Sequence, residues 1–146
     1  MMNLTDQKLN HTYLENPLVL VAEDHEDSRL MLKTMLELRG IRVVEAADGE
    51  TAVNLAASKR PDLILMDGKL EQLDGISALK LIRASDGIYD VPVVIVSGSA
   101  DENFREAAFA AGCNDFLAKP LNYHDFYQLL KRHLRSTTFD NLGAAA

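Results

Sequence analysis

A handful of positions in this chain carry side chains that could do chemistry together. Glu23 and Asp24 are adjacent acids that directly follow the apolar run "LVLVA". Asp67 follows "LILM", where a carboxylate is costly to bury unless something pairs with it. Ser97, with Ser99 two residues on, follows "VPVVIV", and Lys119 stands before Pro120 after "DFLA". Were these groups to meet, three carboxylates would repel one another and would have to protonate or share a cation. Oxygen-only ligands suit a hard ion, magnesium before calcium, and there is no Cys or His cluster to argue for zinc. A divalent ion beside a lysine and a hydroxyl makes a place for a phosphoryl group. Asp67 can then be the nucleophile, as carboxylates are in aspartyl-phosphate chemistry.

Whether these side chains meet depends on the elements that carry them. Leu18–Ala22 is continuously apolar and reads as a strand buried on both faces. The spacing predicts a helix through Leu30, Met31, Thr34, Met35 and Leu38, capped by Asp27 or Ser28 and stopped by Gly40, with its Leu/Met face in the core. "IRVVEA" is a second strand. Asp48-Gly49 opens a helix through Ala52, Val53, Leu55 and Ala56, and Pro61 follows its end.

The third strand is expected over Asp62–Met66, and a helix from about Gly75 carries Ile76, Leu79, Leu81 and Ile82. Val91–Val96 is a fourth strand, with Pro92 near its start, where proline is tolerated. Asp101 caps a small-residue helix that ends at Gly112. "DFLA" is a short fifth strand, and Asn122 caps a last helix whose Phe126, Leu129, Leu130, His133 and Leu134 make one face. Five strands alternating with five helices through right-handed crossovers give an α/β fold, a doubly wound parallel sheet covered on both faces. Ligands in such sheets sit beyond the carboxyl ends of the strands, which is where the candidate residues fall.

The chain of 146 residues has the size of one domain. Residues 1–16 read as an N-terminal extension, 17–135 as the domain and 136–146 as a frayed tail. The formal net charge of −7 argues against non-specific binding to nucleic acid or anionic membrane, both of which need basic patches. No apolar run reaches 18 residues and no signal-peptide pattern opens the chain, so a cytoplasmic location is expected. The single cysteine, Cys113, forms no intrachain disulfide and reads as a buried inert thiol. His11, His25, His124 and His133 have no partner spacing and read as surface or helix-side residues.

On these residues the chain resembles the response-regulator receiver domains of two-component signalling, over roughly Pro17 to Leu134. That family's pattern is an acidic pair after strand 1, a phosphoacceptor aspartate closing strand 3 with Asp-Gly seven residues on, a Ser or Thr ending strand 4, and Lys-Pro ending strand 5. Glu23-Asp24, Asp67, Asp74-Gly75, Ser97 and Lys119-Pro120 match it in order. The resemblance implies a flavodoxin-like (βα)5 sheet of order 2-1-3-4-5. It implies that Asp67 accepts a phosphoryl group from a sensor histidine kinase or a histidine phosphotransfer protein. It also implies Mg2+ held by Asp24 and Asp67, by Glu23 through water and by the Lys69 backbone carbonyl. Ser97 and Lys119 would bind the phosphoryl oxygens, Ser97 and Phe116 would act as the switch, and the peptide before Pro120 would be cis.

Some positions depart from the pattern. The loop after Asp67 has Leu70-Glu71 where the family carries Met-Pro, which removes a rigid turn. Lys69 and Ser99 stand where they could tune phosphate lifetime, although Lys69 could instead pair with Glu71 or solvent. Phe116 lacks the commoner tyrosine's hydroxyl, so it is either a switch working by burial alone or a plain core residue. The leading expectation is a stand-alone response regulator that signals through a helix 4–strand 5–helix 5 face or passes the phosphoryl group on, with a homodimer possible. The alternative is a degenerate receiver acting as a constitutive scaffold. An enzyme acting on other substrates is not expected: Lys69 stands where aspartate-nucleophile phosphohydrolases place a second acid, and no Gly-rich phosphate loop follows strand 1.

Overall fold

The computed structural model of the protein describes residues 16–99 and 101–134. The expected tail over 136–146, and the extension over 1–16 apart from Asn16, lie outside them. Five strands alternate with five helices: β1 (Leu18–Ala22), α1 (Glu26–Glu37), β2 (Arg42–Ala46), α2 (Gly49–Lys59), β3 (Leu63–Asp67), α3 (Gly75–Arg83), β4 (Val93–Ser97), α4 (Glu102–Ala110), β5 (Asp115–Ala118) and α5 (Tyr123–His133). The strands form one parallel sheet, as the alternation of elements predicts, in the order β2-β1-β3-β4-β5 that the resemblance implied.

Side-chain alternation splits the core into two layers. Leu20, Ile64, Met66 and Ile95 face α2, α3 and α4 on one side of the sheet. Val19, Val21, Leu65, Val94 and Val96 face α1 and α5 on the other. The central strands β3 and β4 are buried at every residue, which is why they read as unbroken apolar runs. Both end one residue later than the apolar pattern suggested. Asp67 still pairs with Val96 in the ladder, and Ser97 pairs with Ala118, so both polar residues belong to the sheet itself.

Most helix starts follow from their caps. Asp48 accepts a hydrogen bond from the Thr51 amide at 2.7 Å, Asp101 from Asn103 at 2.9 Å and Asn122 from Asp125 at 3.1 Å. Asp74 caps α3 in the same way, through the Ser77 amide at 2.9 Å. The exception is α1. Its N-cap is His25, without a side-chain cap bond, and Asp27 lies inside the first turn beside Glu26. There a carboxylate favours the positive end of the helix dipole without capping it.

The buried face of α1 also differs from expectation. Leu32 and Leu36 enter the core with Met35 packed beside them, while Leu30, Met31 and Leu38 are 57, 47 and 80% exposed. Apolar residues lie on more than one side of this helix, so periodicity alone does not select the face that meets β1 and β3. In α3, Ala78, Leu79 and Ile82 are buried while Leu81 is exposed. Cys113 is buried, as expected, and burial raises its thiol pKa. Among the described residues, no helix is long and apolar enough to cross a membrane.

Candidate functional site

The carboxyl ends of β1, β3, β4 and β5 bring most of the candidate residues to one rim. Asp67 closes β3 and is 8% exposed; Glu23, one residue past β1, is 1% exposed. Lys119 follows β5 directly and reaches back across the sheet. Its Nζ donates to Glu23 Oε1 at 2.9 Å and to Asp67 Oδ2 at 3.2 Å. The other Asp67 oxygen, Oδ1, accepts from the Lys69 amide at 3.0 Å. Ala22, Leu65 and Val96 supply apolar walls to the cleft around these three charges, so little solvent screens them.

Two buried acids share one ammonium, and their protonation separates accordingly. Burial is the largest influence on Glu23; together with its closeness to Asp67 it outweighs the attraction of Lys119 and raises the carboxyl to about 7. Burial also opposes ionisation of Asp67. There, however, hydrogen bonding with Glu23 and the Lys69 amide, together with the Lys119 charge, prevails and holds the carboxyl below its ordinary value. Lys119 is raised: the desolvation that would lower it is outweighed by its two acidic partners. The two acids are thus pushed in opposite directions, Glu23 up and Asp67 down.

Glu23 Oε2 is buried and has no hydrogen-bond partner among the described residues. An unpaired buried carboxylate oxygen is a costly feature that a proton shared with Asp67, or a cation, would relieve. Asp24 is half-buried and turns its Oδ1 to His25 Nδ1 at 3.1 Å. One ligand atom each from Glu23, Asp24 and His25 lies within 4.8 Å of the others. The oxygen donors of this group suit a hard divalent cation; Asp67 is not one of the three but shares the Lys119 ammonium with Glu23.

Ser97 is 1% exposed. Its hydroxyl oxygen accepts from the Ser99 amide at 3.1 Å, and its carbonyl accepts from the Lys119 amide at 2.8 Å, tying the ends of β4 and β5 together. Ser99 turns its own hydroxyl oxygen to the Asp101 amide at 3.3 Å, into the start of α4. The peptide between Lys119 and Pro120 is cis, as the resemblance implied. Lys69 is exposed and has no ion pair with Glu71 among the described residues; its amide is the part that touches Asp67. Phe116 is half-buried on β5, at the edge of the core.

The loop after Asp67 is well held without the Met-Pro pair. Leu70 is buried in the core, the Gly49 amide reaches the Glu71 carbonyl at 3.4 Å, and the Gly75 amide reaches the Gly68 carbonyl at 3.3 Å. Gly75 is required by this closeness: a Cβ there would lie 2.2 Å from the Asp67 carbonyl oxygen. The Asp-Gly pair therefore has two physical jobs, one residue capping α3 and the next letting the helix start against the end of β3.

Three supporting residues had no sequence signal. Arg29 Nη1 donates to the Glu23 carbonyl at 2.9 Å and its Nε stands 3.4 Å from Glu45 Oε1, closing the loop between β1 and α1. Phe104 of α4 lies against Gly68. His133, expected to lack a partner, has its Nε2 3.1 Å from Asp115 Oδ2, where α5 crosses β5. The Arg29–Glu45, Phe104–Gly68 and His133–Asp115 contacts join segments too far apart in the chain for local spacing to reveal.

Comparison with known proteins identifies the family. The family model for the response regulator receiver domain matches residues 19–131. Transcriptional regulatory protein PrrA of Mycobacterium tuberculosis is 36% identical over 124 residues, covering 85% of this chain and 52% of that protein. The chain thus spans about half the length of the first curated relatives it matches. The polar-differentiation response regulator DivK of Brucella anthropi is 29% identical, over 80% of this chain and 94% of that protein. A crystal structure of the receiver domain of sensor histidine kinase PA1611 from Pseudomonas aeruginosa, with a magnesium ion in its active-site cleft, is 37% identical with a TM-score of 0.76. It covers 81% of this chain and 97% of that one. With the matched residues holding both the sheet and the acid–lysine cluster at its rim, the chain belongs to the response regulator receiver domain family.

Proposed function

We propose that Asp67 accepts a phosphoryl group from the phosphohistidine of a sensor histidine kinase or histidine phosphotransfer protein. The modified chain then signals by altered protein binding or by passing the phosphoryl group on. One observation carries this reading: the Lys119 ammonium bridges Asp67 and Glu23 at 3.2 and 2.9 Å in an apolar-walled cleft. An ionised carboxylate with a fixed cation beside it is set to attack phosphorus and to have the incoming oxygens neutralised.

In the reaction, an oxygen of Asp67 forms the new bond to phosphorus while the bond from phosphorus to the donor's imidazole nitrogen breaks. The imidazole, whose other ring nitrogen already carries a proton in the phosphohistidine, leaves with the electron pair as a neutral ring. Lys119 turns its ammonium from the carboxylate pair toward the phosphoryl oxygens. The Ser97 hydroxyl, which accepts from Ser99, keeps its own hydrogen free to donate to one of them. Glu23, Asp24, Asp67 and the Lys69 carbonyl would hold Mg2+, which would offset the phosphoryl charge when bound. The orphaned Glu23 Oε2 is the observation that this assignment answers.

Two surfaces would serve partners. Leu30 and Met31 lie exposed on α1, within two turns of Glu23 and Asp24, and suit an apolar helical face of the phosphodonor. Output would use α4, β5 and α5, where α4 has a single fully buried residue, Ala108, and is the most lightly anchored helix. Such a donor places the chain in the cytoplasm. The chemistry is done on the chain itself, so turnover of a separate substrate is not proposed.

Intact mass after incubation with acetyl phosphate and Mg2+ tests the reading. One added phosphoryl group, absent in Asp67→Asn and after chelation, is the expected result. If the mass stays unchanged and no beryllofluoride complex forms at Asp67, the reading is overturned and constitutive partner binding takes its place.

A further inference from the structure

The phosphoacceptor's neighbour, residue 68, has no side chain, and an aromatic ring from α4 fills the place. A Cβ built on Gly68 would stand 2.4 Å from Phe104 Cζ and 2.8 Å from its Cε1, closer than atoms can pack. Gly68 itself is buried and pinned on both sides. Its amide donates to the Val96 carbonyl at 3.2 Å and its carbonyl accepts from Gly75 at 3.3 Å. The tip of the Phe104 ring therefore rests on backbone that is fixed to the phosphoacceptor strand and to the start of α3.

The same ring meets Phe116 edge to face, with centroids 6.1 Å apart and planes at 70°. On Phe116's solvent side the Arg105 guanidinium lies 5.7 Å from the ring centroid and also covers Phe109 at 5.4 Å. Beside this stack is a cleft of about 220 Å³ lined by Ser99, Glu102 and Phe116 among others, which gives Phe116 room to move. With Ala108 alone fully buried in α4, Phe104 is a principal apolar tie between that helix and the site.

We propose that Phe104 is a positioning residue that makes the rotamer of Phe116 and the seating of α4 depend on the state of Asp67, through its contact with the bare backbone of Gly68. This deepens the reading of Asp67 as phosphoacceptor and rests on it. A shift of the Asp67–Gly68 peptide moves the floor under the Phe104 ring. Phe116 cannot turn inward or outward without that ring repacking, because the two are in direct contact.

The test places 4-fluorophenylalanine at position 116 and follows its fluorine resonance before and after beryllofluoride with Mg2+. In the otherwise unaltered protein the resonance shifts on addition. In Phe104→Ala, Asp67 gains the same single phosphoryl mass from acetyl phosphate, but the shift at position 116 falls to less than a third. Phe104→Leu keeps apolar bulk over Gly68 without a ring edge for Phe116; it guards against a folding failure of the alanine variant and gives the same loss. Gly68→Ala destabilises the unaltered protein and costs measurably less in the Phe104→Ala background. An unchanged shift at position 116 in both Phe104 variants overturns the proposal while leaving the phosphoacceptor reading intact. Absence of both phosphoryl mass and beryllofluoride response in the unaltered protein overturns the two together.

Discussion

Lys119 Nζ stands 3.2 Å from Asp67 Oδ2, although 52 positions separate the two residues, and the same ammonium is 2.9 Å from Glu23. The lysine bridges two buried acids that would otherwise face each other as like charges, which makes this a costly place in the fold.

Lys119→Met keeps most of the stem and removes the charge. Labelling of Asp67 by acetyl phosphate is expected to slow by about 100-fold, the usual scale for losing one preorganised cation or donor. Glu23→Gln has the opposite structural sign. Its carboxyl is the raised member of the pair, so its ionised form costs stability at neutral pH, and removing that acid is expected to stabilise the fold by about 1 kcal/mol in urea titrations at pH 7 without Mg2+. A less stable Glu23→Gln would contradict the picture of a strained pair.

Gly75→Ala puts a methyl 2.2 Å from the Asp67 carbonyl oxygen, a backbone atom that cannot swing away. A loss of about 2–3 kcal/mol in urea unfolding is expected, typical of overpacking against fixed structure. Gly98→Ala is the control. Its Cβ would meet nothing within 4 Å, so any change there is expected to be small.

Leu30→Asp and Met31→Asp alter an exposed apolar face of α1 without entering the core. Labelling by acetyl phosphate is expected to be unchanged, whereas transfer from a phosphohistidine protein slows at least about tenfold, as for interface residues worth more than 1 kcal/mol. Equal rates for both donors in either variant would remove α1 from the docking surface.

Asp115 ties β5 to α5 through Arg132 and through His133 at 3.1 Å. Burial opposes its ionisation, but hydrogen bonds from His133 and the Phe116 amide and the charge of Arg132 hold its carboxyl below the ordinary range. A depressed acid contributes stability above its unfolded pKa and loses it as pH falls through the folded value. Asp115→Asn is therefore expected to cost about 1 kcal/mol at pH 7, discounted for the exposed arginine, with the gap from the unaltered protein closing as pH drops below about 4. Urea titrations at several pH values check this; a gap constant from pH 7 to 3 would assign the cost to packing alone.

Much of this protein is legible residue by residue. "LILM" reads as a doubly buried strand running into an acid because apolar side chains on both faces leave a continuous run, although β3 extends one residue further, through Asp67 itself. Asp48, Asp101 and Asn122 cap helices as their positions suggest, because a cap is satisfied by an amide two or three residues away. The faces of α1 were not legible. Leu30, Met31, Leu32, Met35, Leu36 and Leu38 surround much of the helix, and only the sheet beneath chose Leu32 and Leu36.

The sequence by itself determined the order of elements and, with it, which side chains arrive at the carboxyl rim of the sheet. Runs, caps and breakers act over a few residues, so they can be read locally. Only the tertiary structure decided that the Lys119 ammonium stands between Glu23 and Asp67, that Gly75 must be bare because Asp67's own carbonyl lies against it, and that Phe104 takes the side-chain place of residue 68. Those relationships are close approaches between distant segments. They depend on how the strands pair and how the helices seat on them, which no local spacing encodes.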